Sequence, residues 1–379
     1  MTQLVRRRLL YVACMMALAT GVWMQFTRSS VQLPAARIDI APQPNARTTG
    51  RIGAELQEVR AGRLLADGSF VVADGGDMHL HHFNPSGLPI RDYGRTGDGP
   101  GEIETIADLL RCGDTLVVID AGGNASLFTE NGQFVRRFRF AAHPSGTPPR
   151  QTACNSRMQF VHTGWTSPRD AKPGRFRGSV PLWTTSSVPR VEHTLGSVPG
   201  SESVLLIVNG TPRGTRPQPM GFEQLLALGH STLWTLDTER NVAVRRTLQG
   251  DSTGTFRIES RRISPSAPDI EAAMEEENGG NVTSSVRAAY ASLDFTKPLP
   301  SATRMLLDDR ERLWLELARH ADQSFRAWSI HDVPTNQTRT LTMPAHWALL
   351  DVRGGAILIR AINDDGTEEV RVHRLSEEP

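Results

Sequence analysis

Residues 93–102 read YGRTGDGPGE and lie between two copies of one strand pattern. In the first copy a turn at 67–69 leads into the run FVVAD, and in the second a turn at 113–115 leads into LVVID. Three positions recur at a spacing of 46 residues: Val71 with Val117, Val72 with Val118, and Asp74 with Asp120. Four more recur at a spacing of 45 residues: Phe83 with Phe128, Gly87 with Gly132, Arg91 with Arg136, and Tyr93 with Phe138.

The period of this repeat predicts the fold. Internal repeats of about 40–50 residues built from short strands are typical of β-propellers. Residues 70–73 and 116–119 are apolar on both alternating faces, as a strand requires when its sheet is covered on both sides. Weaker copies follow at 233–237, 313–316 and 356–359.

Length and composition fit one domain of this kind. Residues 51–377 suffice for six four-stranded blades of about 40–55 residues each. The 33 glycines and 24 prolines suit a turn-dense chain. Helical patterns after Pro268 and from Val286 to Leu293 predict a helical insertion at about 266–293. The sequence therefore predicts an all-β fold, a six-bladed β-propeller with a short helical insertion.

The N-terminal segment predicts export. Three arginines at 6–8 precede an apolar run at 9–19, and the sequence AXA at 17–19 resembles a signal-peptidase site. The longer run 9–26 could instead remain as an uncleaved anchor in the inner membrane. Both interpretations of residues 1–30 place the rest of the chain outside the cytoplasm, in the periplasm or secreted. Residues 31–50 are predicted to be a linker.

The charge balance argues against nucleic-acid binding, and the cysteine content suits an oxidising compartment. The formal net charge is +1, with 42 basic and 41 acidic residues, so no field attracts nucleic acid. Besides Cys14, only Cys112 and Cys154 are present, an even number that suits an oxidising compartment. Each precedes an apolar strand-like run. They are predicted to form a disulfide between neighbouring blades, and the alternative is two separate buried residues.

These motifs together resemble a known family. The run GDGPGE at 97–102, the strand at 116–120 and the turn at Asn131-Gly132 are similar to exported bacterial six-bladed propellers related to NHL-repeat proteins. The segments around Trp314 and Trp328 resemble the closing blades of that family. Its members are mostly uncharacterised, so the resemblance implies a fold and an extracytoplasmic location. It implies no activity and no catalytic residue.

Three histidines form the strongest metal candidate in the sequence. His79 and His81 share a face of a predicted strand, which is close enough for two ligands, and His82 points to the other face. No third ligand follows at a recognisable spacing, and the alternative is a polar outer-strand surface. Asp74, Asp120 and Asp237 end their strands at repeating positions, which favours turn capping over catalysis.

Other candidate sites are weaker. The glycines at 94–101 superficially resemble a phosphate loop, but the Lys-Ser/Thr ending is missing, so an inter-blade turn is favoured. The sequence around Ser231 lacks the second glycine of a hydrolase elbow. Glu275, Glu276 and Glu277 fit a solvated helix face. No catalytic, cofactor-binding or metal residue is assigned.

Two functions of different class remain open. The first is an exported or membrane-tethered propeller that binds a protein, peptide or glycan at one end and has no chemistry of its own. The alternative is a metal-dependent propeller enzyme of lactonase, lyase or hydrolase type. The enzyme would hold its metal near the axis with oxygen ligands from several blades. The oligomeric state does not follow from the sequence.

Overall fold

The computed structural model describes residues 36–40, 46–48, 50–51, 54–167, 174–186, 190–208, 211–278 and 280–376. The chain divides into one unit of residues 1–36 and another of residues 37–379, and the fold below is that of the second. The expected signal peptide or anchor at 1–30 lies outside the described residues.

Strands dominate the described chain and are grouped into separate sheets. The first sheet contains β5 (Val59–Leu64), β6 (Phe70–Asp74), β7 (His79–Phe83) and β8 (Pro89–Tyr93). The second contains β9 (Asp108–Cys112), β10 (Thr115–Ile119), β11 (Asn124–Thr129) and β12 (Phe134–Arg139). The third contains β13 (Pro149–Cys154), β14 (Gln159–Gly164), β15 (Arg175–Ser186), β16 (Val191–Val208) and β17 (Thr211–Pro217). The fourth contains β18 (Gln224–Leu228), β19 (Leu233–Asp237), β20 (Val242–Arg246) and β21 (Ser252–Arg257).

A nine-stranded sheet contains both ends of the described chain. Its members are β22 (Ala302–Leu307), β23 (Leu313–Leu317), β24 (Phe325–Asp332), β25 (Gln337–Pro344), β26 (Trp347–Arg353), β27 (Ala356–Ile362), β28 (Glu368–Ser376), β1 (Ala36–Ile40) and β2 (Ala46–Thr48). A two-stranded pair is formed by β3 (Gly50–Arg51) and β4 (Ala54–Glu55). Helices α1 (Ala267–Glu277) and α2 (Ser284–Ala291) lie between β21 and β22.

The sheets are arranged like the blades of a propeller. Strands β5, β9, β13, β18, β22 and β26 contact one another in that order, and β26 contacts β5 again. Successive strands within the sheets are antiparallel, so each of these six strands begins a meander that runs outward. The predictions of an all-β fold and of a propeller are confirmed.

The core lies between neighbouring sheets. Val71 and Leu80 of the first sheet pack with Leu116 and Phe128 of the second in one buried cluster. Strand β6 is buried along its whole length, which explains why its sequence is apolar on both faces. Each such side chain contributes roughly 1.5–3 kcal/mol of burial free energy, so contacts between sheets hold the ring together.

The prediction that residues 31–50 form a linker is wrong in part. Residues 36–40 form β1, which lies between β25 and β28, and residues 46–48 form β2, which also pairs with β28. Ile38 is buried, and the Arg47 side chain pairs with Glu369 of β28. Strand β1 is only five residues long, and polar residues occupy alternate positions in it. Its partner lies more than 300 residues away, so local pattern could not reveal the pairing.

Candidate functional site

An axial channel runs between the six strands that begin the meanders. One end is a cavity of about 620 Å³ lined by residues from all six of these strands. The other end is a cavity of about 960 Å³ formed mainly by the second, third and fourth sheets and β22. We call the end with the smaller cavity the narrow mouth and the end with the larger cavity the wide mouth. Asp108, Thr152, Leu226 and Met305 line both, so the two cavities adjoin at this level.

Charged groups surround the channel where the two mouths meet. The Arg63 Nη2 atom lies 3.6 Å from Oδ1 of Asp108, and Arg63 also donates to the backbone oxygen of Gly62 at 2.7 Å. On the wide side, the Nη1 atom of Arg304 donates to the oxygen of Leu349 at 2.6 Å. Burial raises the pKa of Asp108 against the opposing effect of Arg63, and burial lowers the pKa of Arg304.

The wide mouth carries an exposed aromatic side chain. Trp165 follows β14 and is 49% exposed. The Arg150 guanidinium lies over its indole ring, 5.5 Å from the ring centroid, and pairs with Glu223 at 2.7 Å. A cation held over an exposed indole leaves one flat apolar face beside charged groups. Trp and Arg in this setting are common anchors in protein interfaces.

Several polar groups at the narrow mouth are hydrogen-bonded to one another. The His230 backbone N–H donates to Glu311 at 2.7 Å, and the Thr232 hydroxyl donates to the other oxygen of Glu311 at 2.8 Å. The Asn155 side chain donates to the backbone oxygen of His230 at 3.1 Å. The wide mouth has the larger cavity and carries the exposed Trp165, so it is the better candidate for ligand binding.

Cys112 and Cys154 form a disulfide in the structure. Cys112 ends β9 and Cys154 ends β13, so the bond joins the channel-lining strands of the second and third sheets. Cys154 also lines the narrow mouth. The covalent link holds the neighbouring walls of the channel together.

The three histidines of β7 have different surroundings. His81 and His82 are 2% and 6% exposed, so the interpretation as a polar outer-strand surface is wrong for both. The outer strand of this sheet is β8, and it covers β7. His79 and His81 do share a face, with their ring centroids 6.0 Å apart. His79 binds the backbone oxygen of Asp77 at 2.7 Å, whereas His82 binds the Ser69 hydroxyl at 3.0 Å.

The His81 imidazole lies beside two carboxylates that sequence reasoning did not connect with it. Asp74, Asp77 and His81 each place one potential ligand atom within 4.8 Å of the others. Among the described residues this is the one group of three or more His, Cys, Asp or Glu side chains with that geometry. It lies in the first sheet and contributes no lining residue to either mouth of the channel.

Asp120 lines the wide mouth, whereas the glycine run, Ser231 and the acidic residues 275–277 contribute no lining residue to either mouth. The glycine run joins β8 to β9, and Glu102 within it accepts a hydrogen bond from Gly99 N at 2.8 Å and pairs with Arg95. Ser231 lies in the turn between β18 and β19. Glu277 accepts a hydrogen bond from Tyr290 of α2 at 2.5 Å, and Glu275 and Glu276 are exposed.

Three residues of the channel were missed by sequence reasoning. Asp108, Arg304 and Trp165 occur singly and in no motif. A polar residue within an otherwise apolar first strand is the only signal that could have indicated Asp108 or Arg304. The helical insertion contributes no lining residue to the two mouths. No helix in the described part of the chain is long and apolar enough to cross a membrane.

Comparisons with known proteins show a shared fold. No family model matches the chain, and no curated protein matches its sequence. A candidate exported protein from Bacteroides fragilis is similar in structure, with a TM-score of 0.53 and 10% identity, over 92% of this chain and 98% of that one. A DUF4221 family member from Bacteroides vulgatus has a TM-score of 0.53 and 7% identity, over 91% of this chain and 100% of that one.

A streptogramin B lyase is a more distant match, with a TM-score of 0.38 and 10% identity, over 92% of this chain and 86% of that one. At this TM-score the match carries no argument. At these identities the two Bacteroides structures bear on the fold alone and carry no inference about activity.

Proposed function

We propose that this chain is an exported six-bladed β-propeller, related to the NHL-repeat type, that binds a protein, peptide or glycan at the wide mouth of its channel. The six-blade count treats the nine-stranded sheet as two blades. One is β22–β25, and the other is β26–β28 completed by β1. The closed order of contacts among the six channel strands supports this count.

Two features support an extracytoplasmic location. The basic and apolar pattern of residues 1–30 is that of a signal or anchor. The Cys112–Cys154 disulfide is of a kind that persists in oxidising compartments. Whether the N-terminal segment is cleaved or tethers the chain to the inner membrane is open within this proposal.

The observation that carries the binding proposal is Trp165 at the wide mouth. A half-exposed indole, stacked by Arg150 beside a cavity of about 960 Å³, offers a flat apolar surface next to charged groups. Sugar rings and aromatic or prolyl side chains bind such surfaces. Deeper in the channel, Arg304 and Asp108 provide a positive and a negative group for the polar parts of a ligand.

The proposal is tested by screening the full-length protein on peptide and glycan arrays. Trp165→Ala is the informative variant. Phe325→Ala is the matched control, because Phe325 is 46% exposed and lies outside both mouths. We expect ligands whose binding falls about 10-fold or more in Trp165→Ala and is unchanged in Phe325→Ala. Arrays without ligands, or ligands that bind Trp165→Ala normally, would contradict the proposal.

A further inference from the structure

We propose that Asp74, Asp77 and His81 bind a divalent transition-metal ion, with Zn²⁺ as the best fit. Asp74 ends β6, Asp77 lies in the following turn, and His81 lies in β7. One ligand atom from each lies within 4.8 Å of the others, so small side-chain movements would bring all three to the roughly 2.0–2.2 Å that a Zn²⁺ ion requires. The site is separate from the wide mouth and does not depend on the proposed function.

The orientation of His81 favours a cation beside it. Its Nδ1 atom lies 2.7 Å from Oδ1 of Asp92, whereas its Nε2 atom lies 3.3 Å and 3.2 Å from the two oxygens of Asp77. The shorter contact favours the tautomer with its proton on Nδ1, which leaves a lone pair on Nε2 facing a carboxylate. A metal ion between them removes this repulsion. Histidines that bind metals usually donate their other N–H to a carboxylate in this way.

Asp74 is a buried carboxylate with room for one more partner. It is 1% exposed and accepts hydrogen bonds from the backbone N–H groups of Gln57, Glu58 and Gly76 at 2.9, 2.9 and 2.8 Å. These bonds fix its orientation and use about three of its four lone-pair sites. Over the described ranges, neither Asp74 nor Asp77 forms an ion pair with an arginine or lysine. Buried carboxylates generally require a cation or a metal nearby.

Comparison with the second sheet shows that, among the described residues, Asp74 lacks the arginine that pairs with the equivalent aspartate. In the second sheet, Asp120 corresponds to Asp74 and is paired with Arg137 at 2.9 Å. Arg137 pairs across the ladder with Ser126, which in turn faces Val118.

The same path through the first sheet leads from Val72 to His81 and then to Asp92. An aspartate therefore occupies the position of the arginine that neutralises Asp120. We call Asp74, Asp77, His81 and Asp92 the first corner, and Asp120, Asn124 and Arg137 the second corner.

Two other acidic residues in second strands are also paired with an arginine: Asp237, which ends β19 of the fourth sheet and pairs with an arginine of the third sheet, and Glu316 within β23. Arg177 donates to Asp237 at 2.6 Å, and Arg326 donates to Glu316 at 2.6 Å. The first corner has an imidazole and two further carboxylates instead. A divalent cation would balance the charge that arginine balances elsewhere.

The donor set selects the class of metal. One imidazole nitrogen with carboxylate oxygens suits Zn²⁺ and related transition metals, whereas Ca²⁺ prefers a larger set of oxygens. The Asp77 side chain is 31% exposed, so an ion can enter from solvent on that side and retain water.

The test is isothermal titration of the full-length, chelator-treated protein with Zn²⁺, with Co²⁺ absorption as a second measurement. We expect one Zn²⁺ per chain, and visible Co²⁺ bands typical of nitrogen and oxygen ligands. Asp77→Asn should lower the affinity at least 10-fold without unfolding the chain, because Asp77 is partly exposed. His81→Gln should abolish binding. Asp92→Asn should weaken binding about 10-fold through the lost orientation of His81.

Asp98→Asn is the matched control, because it removes an exposed carboxylate from the neighbouring region and should leave Zn²⁺ binding unchanged. Circular dichroism establishes whether each variant is folded. If His81→Gln does not fold, Asp77→Asn still decides the question. Absence of stoichiometric Zn²⁺ binding by the parent protein, or equal binding by Asp77→Asn, would overturn the proposal in favour of an imidazole that is hydrogen-bonded to Asp92 and contacts Asp77 without a metal. Preference for Ca²⁺ over Zn²⁺ would also overturn it.

Discussion

The first and second corners share a backbone position and differ in charge. In the second corner, burial raises the pKa of Asp120, but hydrogen bonds from Asn124 and Arg137 outweigh that effect and hold the pKa below its ordinary value. The first corner keeps the equivalent carboxylate, Asp74, and has Asp92 in place of the arginine. A repeat can thus preserve a turn-capping carboxylate while the residue that neutralises it changes. Such a difference between equivalent positions indicates a site that turn capping alone does not explain.

The largest effect of a single substitution is expected from breaking the second corner. Arg137→Ala leaves Asp120, whose side chain is 9% exposed, without its cation. We expect a loss of about 3 kcal/mol in the free energy of unfolding, measured by denaturant titration. Asp98→Asn, which removes only the exposed partner of Arg137, should cost less than about 1 kcal/mol. Equal effects of the two variants would show that Asp120 does not depend on Arg137.

Binding of Zn²⁺ at the first corner should raise the free energy of unfolding by an amount similar to the loss expected for Arg137→Ala. At a Zn²⁺ concentration 100 times the dissociation constant, the free energy of unfolding should rise by about 2.7 kcal/mol, since the ion binds only the folded chain. The measurement is chemical unfolding with Zn²⁺ and then with chelator. Asp77→Asn should lose this stabilisation, and Arg137→Ala should keep it. Stabilisation that survives in Asp77→Asn would locate the ion elsewhere.

As the pH falls, protonation linked to two buried histidines should lower the free energy of unfolding before the second corner is affected. Burial lowers the pKa of His162 to about 3 and that of His331 to about 4, from an ordinary value of 6.5. Their contribution is fully present above pH 6.5. It is lost as the pH falls toward 4, because the unfolded chain takes up protons that the folded chain excludes.

Each histidine should lower the free energy of unfolding by about 1.4 kcal/mol per pH unit in that range. Asp120 stays ionised there, so the second corner is unaffected. The measurement is denaturant unfolding at several pH values, and His162→Gln should reduce the slope. An unchanged slope would contradict the assignment to His162.

The smallest effect is expected from converting the first corner into the second. Asp92→Arg places a guanidinium where the second sheet has Arg137, within reach of Asp74. We expect the metal-free protein to gain about 1 kcal/mol in unfolding free energy, in line with a partly buried charge pair, and to lose its stabilisation by Zn²⁺. Retention of the Zn²⁺ effect would show that Asp92 does not orient His81.

The fold could be predicted from the sequence because the repeated positions lie in buried strands. Val71 and Val117 recur because neighbouring sheets impose the same burial on both. Period-2 alternation also placed His79 and His81 on one face. It could not show that β8 would bury His81, or that the turn would bring Asp77 to it, because turn geometry and outer-strand packing depend on three-dimensional contacts.

The channel residues could not be predicted from the sequence because their positions also depend on contacts between distant parts of the chain. Asp108 and Arg304 come from strands about 200 residues apart, and nothing local relates them. Trp165 is one of seven tryptophans, and its exposure depends on where β14 ends. The pairing of Cys112 with Cys154 was open to prediction because both cysteines precede apolar runs in adjacent repeats.

The position of β1 sets an order for the maturation of this protein. This strand, the first in the described part of the chain, is hydrogen-bonded to β28, which ends at Ser376. During synthesis, residues 36–40 emerge early and must wait for almost the entire chain before their partner exists. The ring is therefore completed last, at the seam where the two ends meet. Until then an unpaired strand edge is available to chaperones and proteases, so quality control of the newly made chain can act at that seam.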